Sequence, residues 1–320
     1  MASIAISYRI PPKEFEKQYK EHLSDFRTWD QKEHATQWLL FPKNIGAHLA
    51  IDETALSNGE LYTLVTNRAA HGKKGALVAC VQGTKTKDVS AVLSRIDAIT
   101  RSQVSEVTLD LSPAMEATVR TTFPKTRLVS DRFHVQQLVS EAVQEMRIGL
   151  RHEAQKEENE LIKPARKERR SYTPHTYANG DTKKQLLARS QALLRVPESK
   201  WHPQQRTRAE VLFVAFPKLK KAYDLSMLFR SCYEQCNTRE EAKQRLDAWY
   251  EKSVASGITE FTVPVETVRV HEDTILEYFV NRSTNAGAES FNAKLKNFRA
   301  LLRGVSDKAF FLFRVAMLYA

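Results

Sequence analysis

Cysteine is scarce in this chain: Cys80, Cys232 and Cys236 are the three among 320 residues. That is too few for a disulfide framework and fits a reducing compartment. Cys232 and Cys236 stand one helical turn apart with no second pair nearby, so they read as core or surface thiols and not as zinc ligands. Long apolar runs are missing too. No stretch approaches the roughly 20 residues that span a bilayer. The N-terminus MASIAISYRIPPKEFEK lacks the charged-then-apolar pattern of a signal peptide, so a cytoplasmic protein with no membrane partner is expected. Gly72-Lys73-Lys74-Gly75 does not have the spacing of a phosphate-binding loop. Asn281-Arg282-Ser283 has the form of a glycosylation sequon, which carries no meaning in a cytosolic chain.

Acidic residues fall short of basic ones, leaving a formal net charge of +11. The excess points to a polyanionic partner, nucleic acid above all. A merely basic soluble protein is the alternative until the charge is located along the chain.

Residues 1–44 read as a polar helical lead-in, PPKEFEKQYKEHLSDFRTW then HATQWLLF, with aromatics tucked against the main body. From residue 47 the pattern changes to three short β-rich runs, AHLAIDETAL, GELYTLVTNR and ALVACVQG, broken at Ser57-Asn58-Gly59 and at GKKG. They predict a meander of antiparallel strands. TKDVSAVLSRIDAI then sets Val89, Val92, Leu93, Ile96 and Ile99 at helical spacing. SEVTLDLS is a fourth strand. Ser112-Pro113 opens a helix with Ser as cap and Pro in the first turn. TRLVSD is a fifth strand, and RFHVQQLVSEAVQEMRIGL a further helix. The order β-β-β-α-β-α-β-α describes an α/β fold: a mixed five-stranded sheet flanked by helices. It matches a ribonuclease H-like core.

That core's first part is expected over 45–144, and an all-helical insertion over 145–275. The insertion is charged, with KPARKERR and KLKKAY, and is interrupted by a loop, SYTPHTYANGDTKK. GITEFTVPVETV is its one β-looking piece, and Pro264 argues against a long strand there. Residues 276–320 return to the core as two helices broken at Gly304, the first carrying Glu289.

Three carboxylates stand out. Asp52 ends an apolar strand, where a solvated loop acid is the ordinary case. Asp110 sits inside an apolar run, VTLDLS, on a strand expected beside and parallel to the first. Two acids facing each other across adjacent strands repel unless a cation lies between them, and a buried aspartate costs several kcal/mol unless paired or metal-bound. Asp110 could instead cap the helix that follows. In the last block Ala288, Phe291, Leu295, Phe298 and Leu302 form one apolar stripe, while Glu289, Asn292, Lys296, Arg299 and Arg303 share another face. A phosphate backbone could follow that cationic row to the carboxylate at its head; the alternative is a solvated helix face. Three such acids suit two Mg²⁺ or Mn²⁺ ions roughly 4 Å apart, promoting in-line phosphodiester displacement by water or a DNA 3′-hydroxyl. Asp131-Arg132-Phe133-His134 follows the fifth strand and would orient the active-site strands or touch DNA.

HLAIDETAL, VTLDLSPAM, LVSDRFHVQQLVSEAV, NAGAESFNAKLK and GVSDKAFFLFR together resemble the bacterial insertion-sequence transposases of the DDE superfamily, in the ISL-three group, over roughly 45–320. The resemblance implies a ribonuclease H-like fold with a helical insertion before the last acid. By motif it sets the family's acids on Asp52, Asp110 and Glu289, and its (Cys/Asp)-x-x-His motif on Asp131 and His134. Asp131 is the runner-up for the second acid. The partners implied are element-end and target DNA, and a dimer that joins two ends. Relatives usually carry an N-terminal zinc-binding and helix-turn-helix region. Its absence here leads to the expectation of a catalytic subunit helped by a separate end-recognition protein, or by the basic insertion. A nuclease that only hydrolyses, and a non-catalytic DNA-binding descendant, are the competing readings.

Overall fold

A computed structural model describes residues 7–57, 60–302, 305 and 307–320. They fall into two compact units, one drawn from 1–131 and 283–320, the other Arg132–Arg282.

The first unit opens with a short helix, α1 (Pro12–Gln18), whose first-turn Pro needs no hydrogen-bond partner. Its sheet has six strands: β1 (Trp38–Leu40), β2 (His48–Ser57), β3 (Glu60–Asn67), β4 (Leu77–Gln82), β5 (Glu106–Leu109) and β6 (Arg127–Ser130). Their spatial order is β1-β4-β3-β2-β5-β6. β2, β3 and β4 form the expected antiparallel meander, and β5 and β6 add in parallel to β2. The sixth strand, β1, corrects the expectation of five. WLLF, assigned to a helical lead-in, pairs antiparallel with β4. Four consecutive apolar residues have no helical spacing, and an open sheet edge offers a ladder of unpaired backbone groups. The predicted turn residues Asn58 and Gly59 lie outside the described residues.

Helices α2 (Thr86–Leu93), α3 (Ala98–Ser102) and α4 (Pro113–Thr122) connect the strands. α2 and α4 cover one face of the sheet, where Leu49, Ile51, Val107 and Leu109 meet Val89, Leu93, Met115 and Val119 in one apolar cluster. Of the helical stripe expected there, Ile99 turns out exposed, because the helix ends at Leu93 and a new one starts at Ala98.

The second unit is helical. α5 (Arg132–Lys167) runs 36 residues, about 54 Å at 1.5 Å per residue. Then come α6 (Lys183–Arg189), α7 (Pro203–Ala215), α8 (Pro217–Gln235), α9 (Arg239–Ser256), α10 (Thr262–Val270), α11 (Glu272–Leu276) and α12 (Tyr278–Asn281). GITEFTVPVETV contributes to a 3₁₀ turn and to α10, with Pro264 in the first turn, where a missing N–H costs nothing. Trp249 of α9 is fully buried, and its indole N–H donates to the Leu225 carbonyl of α8 at 3.1 Å.

The chain returns to the first unit with α13 (Ala286–Leu301) and α14 (Lys308–Tyr319). Phe291 and Leu295 of α13 join Leu64, Leu77 and Cys80 in a second apolar cluster, with Phe298 and Leu302 at its margin. The stripe read from spacing therefore docks α13 on the face of the sheet opposite α2 and α4. Tyr19, Phe26 and Trp29 of the N-terminal segment pack against Phe310 and Phe313 of α14. Gly304, the expected break between the two helices, lies outside the described residues.

Candidate active site

The site begins with strand register. β2 pairs with β5 as Leu49↔Val107 and Ala50↔Thr108; carried two residues on, the same register sets Asp52 beside Asp110. β5 pairs with β6 as Leu109↔Ser130, and one further step sets Asp110 beside Asp131. Three aspartates thus fall in a row on three adjacent parallel strands, Asp110 and Asp131 just past the ends of β5 and β6, and Asp52 midway along β2, which was expected to end there but runs on to Ser57. Alternation along a strand gives them a common face. Ile51, Leu109 and Leu128 point into the cluster under α2 and α4, so the residues that follow or alternate with them face α13.

Carboxylate oxygens of Asp110 and Asp131 lie within 4.8 Å of each other. Asp131 is 1% exposed and Asp52 6%. Asp110 does not cap α4: that place is taken by Ser112, whose hydroxyl accepts from the Met115 N–H. Burial, and then the negative charge of Asp110, push the neighbouring Glu53 carboxyl above its ordinary value.

α13 closes the site from above. Asn292 is buried, and its Nδ2 donates to Asp52 Oδ2 at 2.5 Å. The Glu53 N–H donates to the other Asp52 oxygen at 2.7 Å. Glu289 is half-buried in the first turn of α13, three residues before Asn292 and so on the same helix face. Asn292 was expected in a DNA-facing row; it points inward to Asp52 instead. Lys296 is exposed. Arg299 is half-buried and lines a small cleft with Glu60, Tyr62 and Lys308. Arg303 lies outside the described residues. His134 sits in the first turn of α5, in the second unit.

Sequence reasoning missed a polar ladder that seats α13. Along β5 and one residue past its end, Glu106, Thr108 and Asp110 alternate with the core residues Val107 and Leu109. Glu106, 1% exposed, accepts from Arg68 at 2.7 Å and from the Ser283 hydroxyl at 2.5 Å. The Thr108 hydroxyl donates to Asn285 Oδ1 at 3.1 Å, and the Asn285 N–H donates to Asp131 Oδ1 at 3.1 Å. The segment leading into α13 is thereby indexed along β5, one step per pair of residues. The period-two polar pattern inside an apolar strand was the available signal. On the far side of α13, Lys294 donates to the Gly72 carbonyl at 2.9 Å. Gly72 has φ +66°, and a Cβ there would come within 3.0 Å of that ammonium.

The donor set fits hard divalent cations. Asp110 and Asp131 offer carboxylate oxygens at close approach, and the buried Oδ1 of Asn292 has no hydrogen-bond partner among the described residues.

A family model described as a transposase, of the ISL-three DDE type, matches residues 49–315. The chain belongs to that transposase family. Neither the curated proteins nor the solved structures contain a match to it. The sheet with its flanking helices is consistent with the ribonuclease H-like fold of such enzymes, and among the described residues no helix is long and apolar enough to cross a membrane.

Proposed function

We propose that the chain is the catalytic subunit of a DNA transposase, cutting and rejoining strands at the ends of an insertion sequence, with Asp52, Asp110 and Glu289 as its catalytic acids. The observation that supports this is the parallel register of β2 and β5, paired as far as Ala50↔Thr108 and, carried two residues on, bringing Asp52 next to Asp110, beneath a helix that reaches Asp52 through Asn292. Glu289, one turn earlier on that helix, supplies the third acid. Asp131 is next in the row, but it accepts the Asn285 N–H that begins the approach to α13. It therefore reads as a support, partnered in sequence with His134, and remains the runner-up for the second acid.

Asp52, Asp110 and Glu289 would hold two Mg²⁺ or Mn²⁺ ions. Such ions, when bound, supply Lewis-acid stabilisation of an in-line phosphodiester displacement. The protein's own part is to fix the acids: Asn292 and the Glu53 N–H orient Asp52, and the β5 ladder seats the helix that carries Glu289. Lys296, Arg299 and Arg303 would receive backbone phosphates of the element end. Joining two ends calls for two copies, so a homodimer is expected in the assembled complex.

The test uses the purified chain with labelled element-end DNA. Cleavage and strand-transfer products are expected only with Mg²⁺ or Mn²⁺. Asp52→Asn and Glu289→Gln should each lower the cleavage rate about a hundredfold or more, as loss of a group acting in the transition state does, while leaving DNA affinity unchanged. Asp110→Asn should fall as far as Asp52→Asn, and Asp131→Asn less. Wild-type cleavage by either of the first two variants sinks the assignment. Products that are hydrolysed but never joined would reduce the chain to a nuclease.

A further inference from the structure

Arg147, on α5, is buried to 5% exposure, yet its partners are neutral oxygens: Gln144 Oε1 at 2.8 Å and the Leu187 carbonyl at 3.1 Å. A buried guanidinium ordinarily sits against a carboxylate, because an unpaired charge is costly to desolvate. Arg151 stands one turn further along the same face of α5, exposed. Arg195, also exposed, ends the 3₁₀ turn Leu193–Arg195, which packs against α5. Among the described residues no carboxylate lies within ion-pair distance of any of the three. A fourth arginine, Arg230, braces the turn by donating to the Arg195 carbonyl at 3.1 Å, and its own charge is answered by Glu234 at 3.6 Å. Burial, and then the charges of Arg151 and Arg195, hold the Arg147 guanidinium below its ordinary value. The fold thus spends stability to bring like charges together, and an anion between them would offset that repulsion.

We infer that Arg147, Arg151 and Arg195 form a phosphate-binding site in the helical unit, and that its occupant is a backbone phosphate of DNA. Arginine suits such a site because its planar fork pairs two donors with two phosphate oxygens, and because it stays charged when desolvated. Arg147 is held rigid by its two carbonyl-type acceptors, so it is pre-aimed. Arg151 and Arg195 reach the same anion from the rim. The reading of that phosphate as DNA rests on the transposase assignment; the anion chemistry does not.

The test compares the full chain with the double variant Arg151→Gln/Arg195→Gln, two exposed positions whose replacement leaves the fold intact. Thermal unfolding is followed at constant ionic strength in inorganic phosphate and in chloride. Binding to a duplex oligonucleotide is followed by anisotropy against salt, without divalent metal. Phosphate should raise the melting temperature of the wild type above its value in chloride, and this increment should vanish in the variant. The variant should bind duplex about tenfold more weakly at low salt, with its salt slope smaller by about one. Equal phosphate stabilisation of both proteins overturns the site. A lost phosphate increment with unchanged duplex binding overturns its assignment to DNA, in favour of free phosphate or a nucleotide. Because this binding assay holds no metal, it does not report on catalysis: a wild type that binds here but fails to cleave element-end DNA once Mg²⁺ is supplied counts against the catalytic reading and not against this site.

Discussion

Asp52 and Asp181 are both almost fully buried, at 6% and 1% exposure, but the chain gives them different company. Asp181, before α6, is surrounded by cations: Arg208 donates to it at 3.0 Å, Arg189 pairs with it on the other oxygen, and Asn179 adds a third donor at 2.9 Å. Burial alone would raise its pKa, but the hydrogen bonds and charges of Arg208 and Arg189 prevail and hold it below the ordinary carboxylate value. Asp52, by contrast, is met by a neutral amide and lies beside other acids, an arrangement suited to sharing a cation and not to stability. A carboxyl with a depressed folded pKa stabilises the fold above its unfolded value, near 3.9, and that contribution is lost as pH falls through the folded value. Asp181→Asn should therefore cost about 1–3 kcal/mol at pH 7, a figure discounted because Arg189 is half exposed. In urea titrations at a series of pH values the gap between variant and wild type should close below about pH 4. A gap that is the same at pH 3 and pH 7 would show that packing, and not charge, holds Asp181.

Helix α13 carries two jobs on neighbouring faces, one apolar and one polar. Phe291 is fully buried between Leu295 and Tyr319, with the Tyr319 ring centroid at 5.0 Å. Phe291→Ala should cost about 3–5 kcal/mol, the cost of a large cavity in a close-packed core. Because Asn292 follows directly, the variant should also lose cleavage beyond what its folded fraction, measured by circular dichroism, accounts for. Cleavage that tracks the folded fraction would mean that the seat of α13 does not aim Glu289. Much of this element was legible beforehand. The 3–4 spacing of Ala288, Phe291, Leu295, Phe298 and Leu302 announced the docking stripe, and β-α alternation put β2 next to β5. The inward turn of Asn292 was not legible. It lies about 100° from Phe291, at the margin of the stripe, and how deep a helix seats decides which side of that margin is wet. β1 was not legible either, since a strand of three residues has no period of its own and forms only because the β4 edge is there to pair with it. The β5 ladder needs Ser283 and Asn285, residues that come to Glu106 and Thr108 from more than 170 positions away.

The two units are connected differently along the chain. The helical one is a single run, Arg132–Arg282, of ordinary domain length. Its largest fully buried side chains, Trp249, Tyr223, Tyr233, Phe229 and Phe261, all come from within that run. It should fold by itself. The other unit is split: the sheet precedes the helical run and the helices covering one of its faces follow it. Without α13 and α14, Leu64, Leu77 and Cys80 would lose the partners that keep them dry, leaving an apolar sheet face of the kind that drives association. Two fragments should then behave oppositely. Residues 132–282 should give a helical circular dichroism spectrum and one cooperative thermal transition, and should bind duplex DNA without cleaving it, because Arg147, Arg151 and Arg195 travel with it. Residues 1–282 should aggregate or bind a hydrophobic dye, since half of the sheet is uncovered. A soluble, dye-silent 1–282 would show that the sheet does not depend on its C-terminal helices. In that case Glu289 would arrive on an element added to a finished core, instead of one that completes it.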